Sequence, residues 1–232
     1  MHLPFSFARP FVRGTLSSSR LTAPPGTTAA TRVLAVEHQE ASKTSRTPSL
    51  PVPSSQIILL GLRGSGKSTL GRLLAARLVT DFVDLDLITA ELLRAASPAE
   101  AIQTLGLPAF RDAEVRALQM PRTTGAGVLA LGGGTPTARG AIPVLSALKA
   151  RGARLIYLRG TPETLRSRLR ETDLASRPSL TGAPVLDEVE RLFAERDPLY
   201  LSLAEKTVEI DGRSVEQSLE DLAAVARTPR AT

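Results

Sequence analysis

Residues 61–69 read GLRGSGKST, with Gly61, Gly66, Lys67 and Ser68 at the fixed positions of the phosphate-binding pattern G-x-x-x-x-G-K-[ST]. Each residue type answers a need of a polyphosphate. Glycines let successive backbone N–H groups point into one concavity, a following helix N-terminus adds its positive dipole end, and a lysine supplies a mobile cation. The Ser68 hydroxyl suits a magnesium ion. Gly64, Ser65, Gly66, Lys67, Ser68 and Thr69 are therefore the candidate nucleotide contacts. A second constellation is Phe82-Val83-Asp84-Leu85-Asp86. In an extended segment, acids spaced i, i+2 point the same way. One could support the magnesium shell while the other reaches an acceptor hydroxyl. A third is the triple glycine Gly132-Gly133-Gly134, which lets a ligand approach the backbone closely at a strand's carboxyl end.

These groups need elements to hold them. The run Ile57–Leu60 reads as a buried strand before the glycine loop, and Thr69–Leu78 as the amphipathic helix after it. From Ser55 onward, strands and helices alternate in the rhythm of an α/β domain. The expected strands are 56–60, 81–85, 127–131, 153–158 and 207–210. Helices are expected at 66–79, 86–96, 98–105, 108–120, 137–151, 161–171, 185–203 and 214–226. Ser97-Pro98-Ala99-Glu100 forms a capping box with proline at the first helical position, and Thr161-Pro162-Glu163 opens a helix in the same manner. Apolar strands of the IILL and LIYL type suit a parallel sheet covered on both faces.

Composition narrows the function classes. With no cysteine among 232 residues, disulfides, thiolate catalysis and Cys-based metal sites are excluded. The two histidines, His2 and His38, are isolated. No stretch is long and apolar enough to read as a membrane-spanning helix. The net charge of +6 is unevenly spread. Residues 1–54 carry six Lys or Arg against two Glu, and the remainder carries 23 against 21. Neither a basic stripe nor interleaved aromatics accompany the excess, so nucleic acid is not an expected partner.

Residues 1–54 also hold seven of the seventeen prolines and fifteen Ser or Thr. A segment of that composition cannot bury enough apolar surface to offset its ordering entropy, so a disordered extension is expected. Its first thirty-two residues lack any acid and resemble an organelle transit peptide. An unstructured extension, or a start codon placed too far upstream, is the favoured reading. No Asp is followed by Gly three residues later, and no guanine-recognition N/T-K-x-D is present, which disfavours a regulatory GTPase. The third strand ends in the triple glycine where a Walker B strand would end in Asp.

Taken in order, GLRGSGKS, FVDLD, Phe110-Arg111, the GGG, the RPSL of Arg177–Leu180 and the RDPLY of Arg196–Tyr200 resemble one family, the shikimate kinases. The similarity spans Gln56 to about Leu222. It implies an ATP:shikimate 3-phosphotransferase with an α/β, three-layer P-loop kinase fold of the nucleoside-monophosphate-kinase type. A five-stranded parallel sheet would be flanked by helices, with a substrate-binding insertion at about 86–121 and a lid at about 172–184. The matching positions make Lys67, Asp86 and Arg177 catalytic. Arg170, Arg177 and Arg213 would join the loop in binding ATP. Ser68 and Asp84 would hold Mg2+, and Asp86, Arg111, Gly132, Gly133, Gly134 and Arg196 would bind shikimate. Asp86 would orient the 3-hydroxyl or accept its proton, and the two arginines would fork onto the carboxylate. The resemblance also implies a cytoplasmic monomer; an organelle is the alternative if residues 1–54 are a transit peptide. Competing readings are a gluconate-type kinase and a non-catalytic ATP-binding regulator of the same fold. The sequence departs from the family pattern at Leu131 before the glycines and at Ser214-Val215 after Arg213.

Overall fold

In the computed structural model, residues 55–171 and 184–227 are described. The expected extension at 1–54 lies outside them, as does nearly all of the expected lid, including Arg177. The strands are β1 (Ile57–Leu60), β2 (Phe82–Asp84), β3 (Val128–Ala130), β4 (Arg154–Arg159) and β5 (Lys206–Glu209). They form one parallel sheet in the order β2-β3-β1-β4-β5. Helices α1 (Lys67–Leu78), α2 (Leu85–Leu92), α3 (Pro98–Leu118), α4 (Pro121–Thr124), α5 (Ala141–Ala150), α6 (Pro162–Arg170), α7 (Glu188–Leu203) and α8 (Val215–Arg227) join and cover the strands. The expected fold, a parallel five-stranded sheet flanked by helices, is the observed one.

The IILL strand is central because all four of its side chains are fully buried. It pairs with β3 on one side and β4 on the other; Ile58 sits opposite both Leu129 and Leu155. The chain thus departs from β1 in two directions, and a crevice opens beyond the carboxyl ends of the strands at that switch point. The glycine loop follows β1, the paired acids follow β2, and the triple glycine follows β3. Topology alone brings the three constellations to one edge of the sheet.

Several boundaries shift for identifiable reasons. Beyond β2 the backbone does not stay extended. Asp84 caps α2, its Oδ1 accepting the N–H of Asp86 at 3.1 Å, so Asp86 lies in the first helical turn and the i, i+2 extended argument does not hold. α2 stops at Leu92, before Arg94 with φ +57°. The expected helices 98–105 and 108–120 are the two halves of α3, broken at Gly106 (φ 82°, ψ 157°) just before Pro108. The expected cap forms in a shifted version: Ser97 Oγ accepts from Glu100 N at 3.1 Å, while Glu100 Oε2 reaches one residue past the cap and accepts from Ala96 N at 2.6 Å. A 3-10 turn at Thr135–Thr137 precedes α5, which begins only after Gly140 (φ 89°).

Of the two described non-glycine residues at positive φ, Arg94 and Val79, the β-branched one carries the greater strain. Val79 ends α1 in the left-handed region (φ 52°, ψ 47°) and is 68% exposed. A β-branched side chain is disfavoured there, whereas glycine is the usual residue. Val79→Gly should therefore stabilise the domain by about 1 kcal/mol. Thermal unfolding should show a rise of roughly 2–4 °C; an unchanged or lower midpoint would contradict the strain.

Candidate active site

The glycine loop is shaped by Gly64 and Gly66, both at φ +83°, where a side chain would be strained. Lys67 is buried at the start of α1, and its Nζ donates to the Leu62 carbonyl at 2.9 Å and to Ser65 Oγ at 3.5 Å. The ammonium is thereby curled back over its own loop. Ser68 Oγ donates to Asp84 Oδ2 at 2.6 Å, so the cap of α2 doubles as the partner of the P-loop hydroxyl. These two oxygens fit a magnesium ion, which keeps most of its shell as water and phosphate oxygens and takes only one or two protein ligands. Among the described residues no group of three or more His, Cys, Asp or Glu could hold a metal by itself.

The triple glycine works by leaving space. A Cβ on Gly132 would collide with Asp86 Oδ1 and Glu114 Oε1 and would stand 2.9 Å from Thr135 Oγ1. On Gly133 it would press on the Arg63 backbone nitrogen at 3.2 Å, and on Gly134 it would overlap the Arg111 guanidinium, 2.6 Å from Cζ. Three successive missing side chains therefore admit a carboxylate pair, the P-loop backbone and an arginine. Arg111 pairs with Glu114, one turn along α3, and Thr135 Oγ1 donates to the other Glu114 oxygen at 2.6 Å. From α7, Arg196 Nη1 (2.8 Å) and Tyr200 Oη (2.7 Å) both donate to the Gly133 carbonyl.

These groups border a cleft of about 660 Å³. Gly64, Gly66, Lys67, Ser68, Thr69, Asp84, Asp86, Arg111, Gly133, Gly134 and Arg213 line it. Ser65 and Gly132 are buried just behind its wall. Arg196 stands behind the Gly133 carbonyl and lines a small adjoining cavity of about 20 Å³ together with Arg63, which borders both. Arg170 is exposed at the end of α6 and does not line the cleft, whereas Arg168 does. The helix buries Leu165 and Leu169, and a separation of two residues turns Arg170 away from Arg168 by about 200°. Arg168 also donates to the carbonyls of Ile210 (3.0 Å) and Arg213 (3.2 Å), bracing the loop before α8. Arg213 lies 3.6 Å from Asp221.

Glu114 was not singled out by its sequence. The signal available was Arg111-x-x-Glu114 on one helix, a spacing that places both on one face. Its side chain is fully buried, and its charge bears on Asp86. Burial, then the charges of Glu114 and Asp84, push the Asp86 carboxyl up to about 7, against the pull of Lys67 and Arg111. A carboxyl that ionises near neutrality is suited to accepting a proton from a hydroxyl. Burial and the neighbouring Arg111 charge also lower Arg196 below the usual guanidinium range. Arg111 has Glu114 as its counter-ion, whereas Arg196 meets a backbone carbonyl.

A family model described as shikimate kinase matches residues 63–227. The chain belongs to the shikimate kinase family. A Yersinia pestis protein named shikimate kinase 2 is 37% identical over 179 residues, covering 72% of this chain and 94% of that protein. Its Yersinia enterocolitica counterpart is 38% identical over 156 residues, covering 64% and 82%. Among solved structures, a shikimate kinase from Acinetobacter baumannii in complex with shikimate superposes with a TM-score of 0.63 at 26% identity, covering 75% of this chain and 93% of that one. A Bacteroides thetaiotaomicron shikimate kinase gives 0.62 at 26%, covering 75% and 99%. Among the described residues no helix is long and apolar enough to cross a membrane.

The raised Asp86 pKa has a consequence for stability in this shikimate kinase family member without ligand or metal. A carboxyl whose folded-state pKa lies above its unfolded value contributes stability that is complete below about pH 4 and lost as pH rises through about 7. Asp86→Asn should abolish that loss. At pH 8 it should be more stable than the parent by more than about 1 kcal/mol, and the gain should shrink towards pH 5. Denaturant unfolding at the two pH values checks this; a pH-independent difference would contradict the assignment.

Proposed function

We infer that the chain transfers the γ-phosphoryl group of ATP to the 3-hydroxyl of shikimate, giving shikimate 3-phosphate and ADP. The observation that carries the reading is the convergence of three groups on one cleft. They are a P-loop with its lysine and serine, a carboxyl held near neutrality in its pKa, and an arginine seated against a glycine. Family membership supplies the substrate, a small ring acid with three hydroxyls, and that acid asks for such a set.

In this reading ATP lies over the loop with its phosphates against the backbone N–H groups of Gly64–Ser68 and the ammonium of Lys67, and its base towards Arg168 and Arg213. Arg111 binds the shikimate carboxylate through its planar fork, with Arg196 as the second cation. Asp86 orients the 3-hydroxyl. The hydroxyl oxygen bonds to the γ-phosphorus, the bond from that phosphorus to the β,γ-bridging oxygen breaks, and the hydroxyl proton passes to Asp86. Phosphoryl transfer needs mainly alignment and neutralisation of charge, and both are supplied by groups already on the cleft wall. Ser68, and Asp84 through water, would hold Mg2+, which when bound would add to the neutralisation of the phosphates. Arg177, from the segment 172–184 that resembles a lid, is assigned to the phosphates on closure, where exclusion of water would prevent wasteful hydrolysis. Every group invoked lies on one chain, so a monomer suffices, and the bacterial relatives favour the cytoplasm.

A coupled assay of ADP release with shikimate, gluconate and nucleoside monophosphates tests the reading. Turnover should depend on shikimate. Asp86→Asn should lose at least about a hundredfold in kcat, the lower range for a positioned proton acceptor, while still binding ATP. Absence of shikimate-dependent turnover, or full activity in Asp86→Asn, would contradict it.

A further inference from the structure

Arg196 and Tyr200 hold the Gly133 carbonyl from α7, yet α7 is a poor platform for such a task. Pro198 sits inside it. A proline within a helix removes one backbone hydrogen bond, clashes with the preceding turn and disfavours helical geometry at the residue before it. That preceding residue is Asp197, the neighbour of Arg196. The weakest turn of the helix is therefore the turn that presents the residues gripping the cleft floor.

Asp197 is also where α7 is fastened to the sheet. Its Oδ1 accepts from Tyr157 Oη at 2.8 Å and from Arg159 Nε at 2.8 Å, and its Oδ2 accepts from Arg159 Nη2 at 3.1 Å. Tyr157 and Arg159 both stand on β4, in the interior of the sheet. The bidentate pair is largely buried on the aspartate side, with 10% of the side chain exposed. Burial opposes ionisation of Asp197, but the Arg159 and Tyr157 hydrogen bonds outweigh it and keep the carboxyl below its ordinary range. The Tyr157 ring meets the Tyr200 ring edge to face at 5.5 Å and 88°, which extends the brace one turn further. Arg159 also engages Asp197 in place of Arg196, and no described carboxylate forms an ion pair with Arg196. The cation beside the cleft is thus left for an anion brought from outside.

We propose that Asp197 is a positioning residue of the acceptor site: clamped by Tyr157 and Arg159, it fixes the proline-weakened turn of α7 so that Arg196 and Tyr200 hold Gly133 at the cleft floor. It touches no reacting atom. The role rests on the reading that this site takes shikimate, so the effect should fall on shikimate and spare ATP.

Steady-state kinetics on the full chain, varying each substrate at saturating levels of the other, provide the test. Asp197→Ala should raise KM for shikimate about tenfold or more, the scale of one lost charge-assisted hydrogen bond. KM for ATP should change less than about twofold, within ordinary variation for a site that is not touched. Asp197→Asn keeps an acceptor oxygen for Tyr157 and Arg159 and should recover most of the shikimate affinity. Tyr157→Phe removes a single hydrogen bond, keeps the ring packing and should fall between them; it also serves if Asp197→Ala does not fold. Loss of affinity for both substrates in parallel, or an unchanged shikimate KM in Asp197→Ala (in Tyr157→Phe, where the alanine variant does not fold), would overturn the proposal. A parent protein that does not turn over shikimate at all would instead bring down the functional reading on which it rests.

Discussion

The site depends on a corner of backbone with no side chains. Where β3 ends, Gly132, Gly133 and Gly134 let three chemically different groups come within contact of the main chain: the Asp86–Glu114 carboxylates, the P-loop at Arg63 and the Arg111 guanidinium. None of these approaches would survive a methyl group without something moving. The parallel sheet supplies the location, because β3 lies between β2 and β1 and so carries its glycines between the acids and the phosphate loop. The helices then complete the enclosure, α3 with Arg111 and Glu114, and α7 with Arg196 and Tyr200.

Charge at that corner is balanced locally rather than absent. Arg111 is neutralised by Glu114, which is itself buried and takes a second hydrogen bond from Thr135. Burying an ion pair has a desolvation cost that its mutual attraction offsets only with good geometry and further hydrogen bonds. What the protein gains is an arginine held in one orientation before a ligand arrives. After burial itself, the charge of the same Glu114 does most to raise the Asp86 carboxyl towards neutrality. One buried glutamate therefore serves the anion-binding group and the proton-accepting group together.

The legible parts of the sequence were those whose physics is local or periodic. The buried strands showed as continuous apolar runs because both faces of a parallel sheet are covered. The P-loop showed as spacing, and the helix starts at Ser97 and Thr161 as capping chemistry. The alternation of strands and helices showed the parallel α/β sheet, whereas the strand order β2-β3-β1-β4-β5 is set by pairing between distant segments. What was not legible depends on tertiary context. Asp84 is compatible both with a strand end and with a helix cap, and only the onset of α2 decides between them. Arg168 and Arg170 differ by two positions; the buried face of α6 decides which one meets the cleft. Glu114 is hidden because a buried charge breaks the apolar pattern that sequence reading relies on. The contact of Arg196 and Tyr200 with the Gly133 carbonyl was hidden as well, because it joins α7 to the end of β3 across more than sixty residues.

The most direct test of the glycine corner is calorimetric titration of shikimate, and separately of ATP, into the parent protein and Gly134→Ala. The added Cβ falls on the Arg111 guanidinium, whose atoms are its three nearest neighbours. Shikimate affinity should weaken by about tenfold or more, as expected for a displaced bidentate contact, with ATP affinity essentially retained. Shikimate binding as tight in Gly134→Ala as in the parent would contradict it.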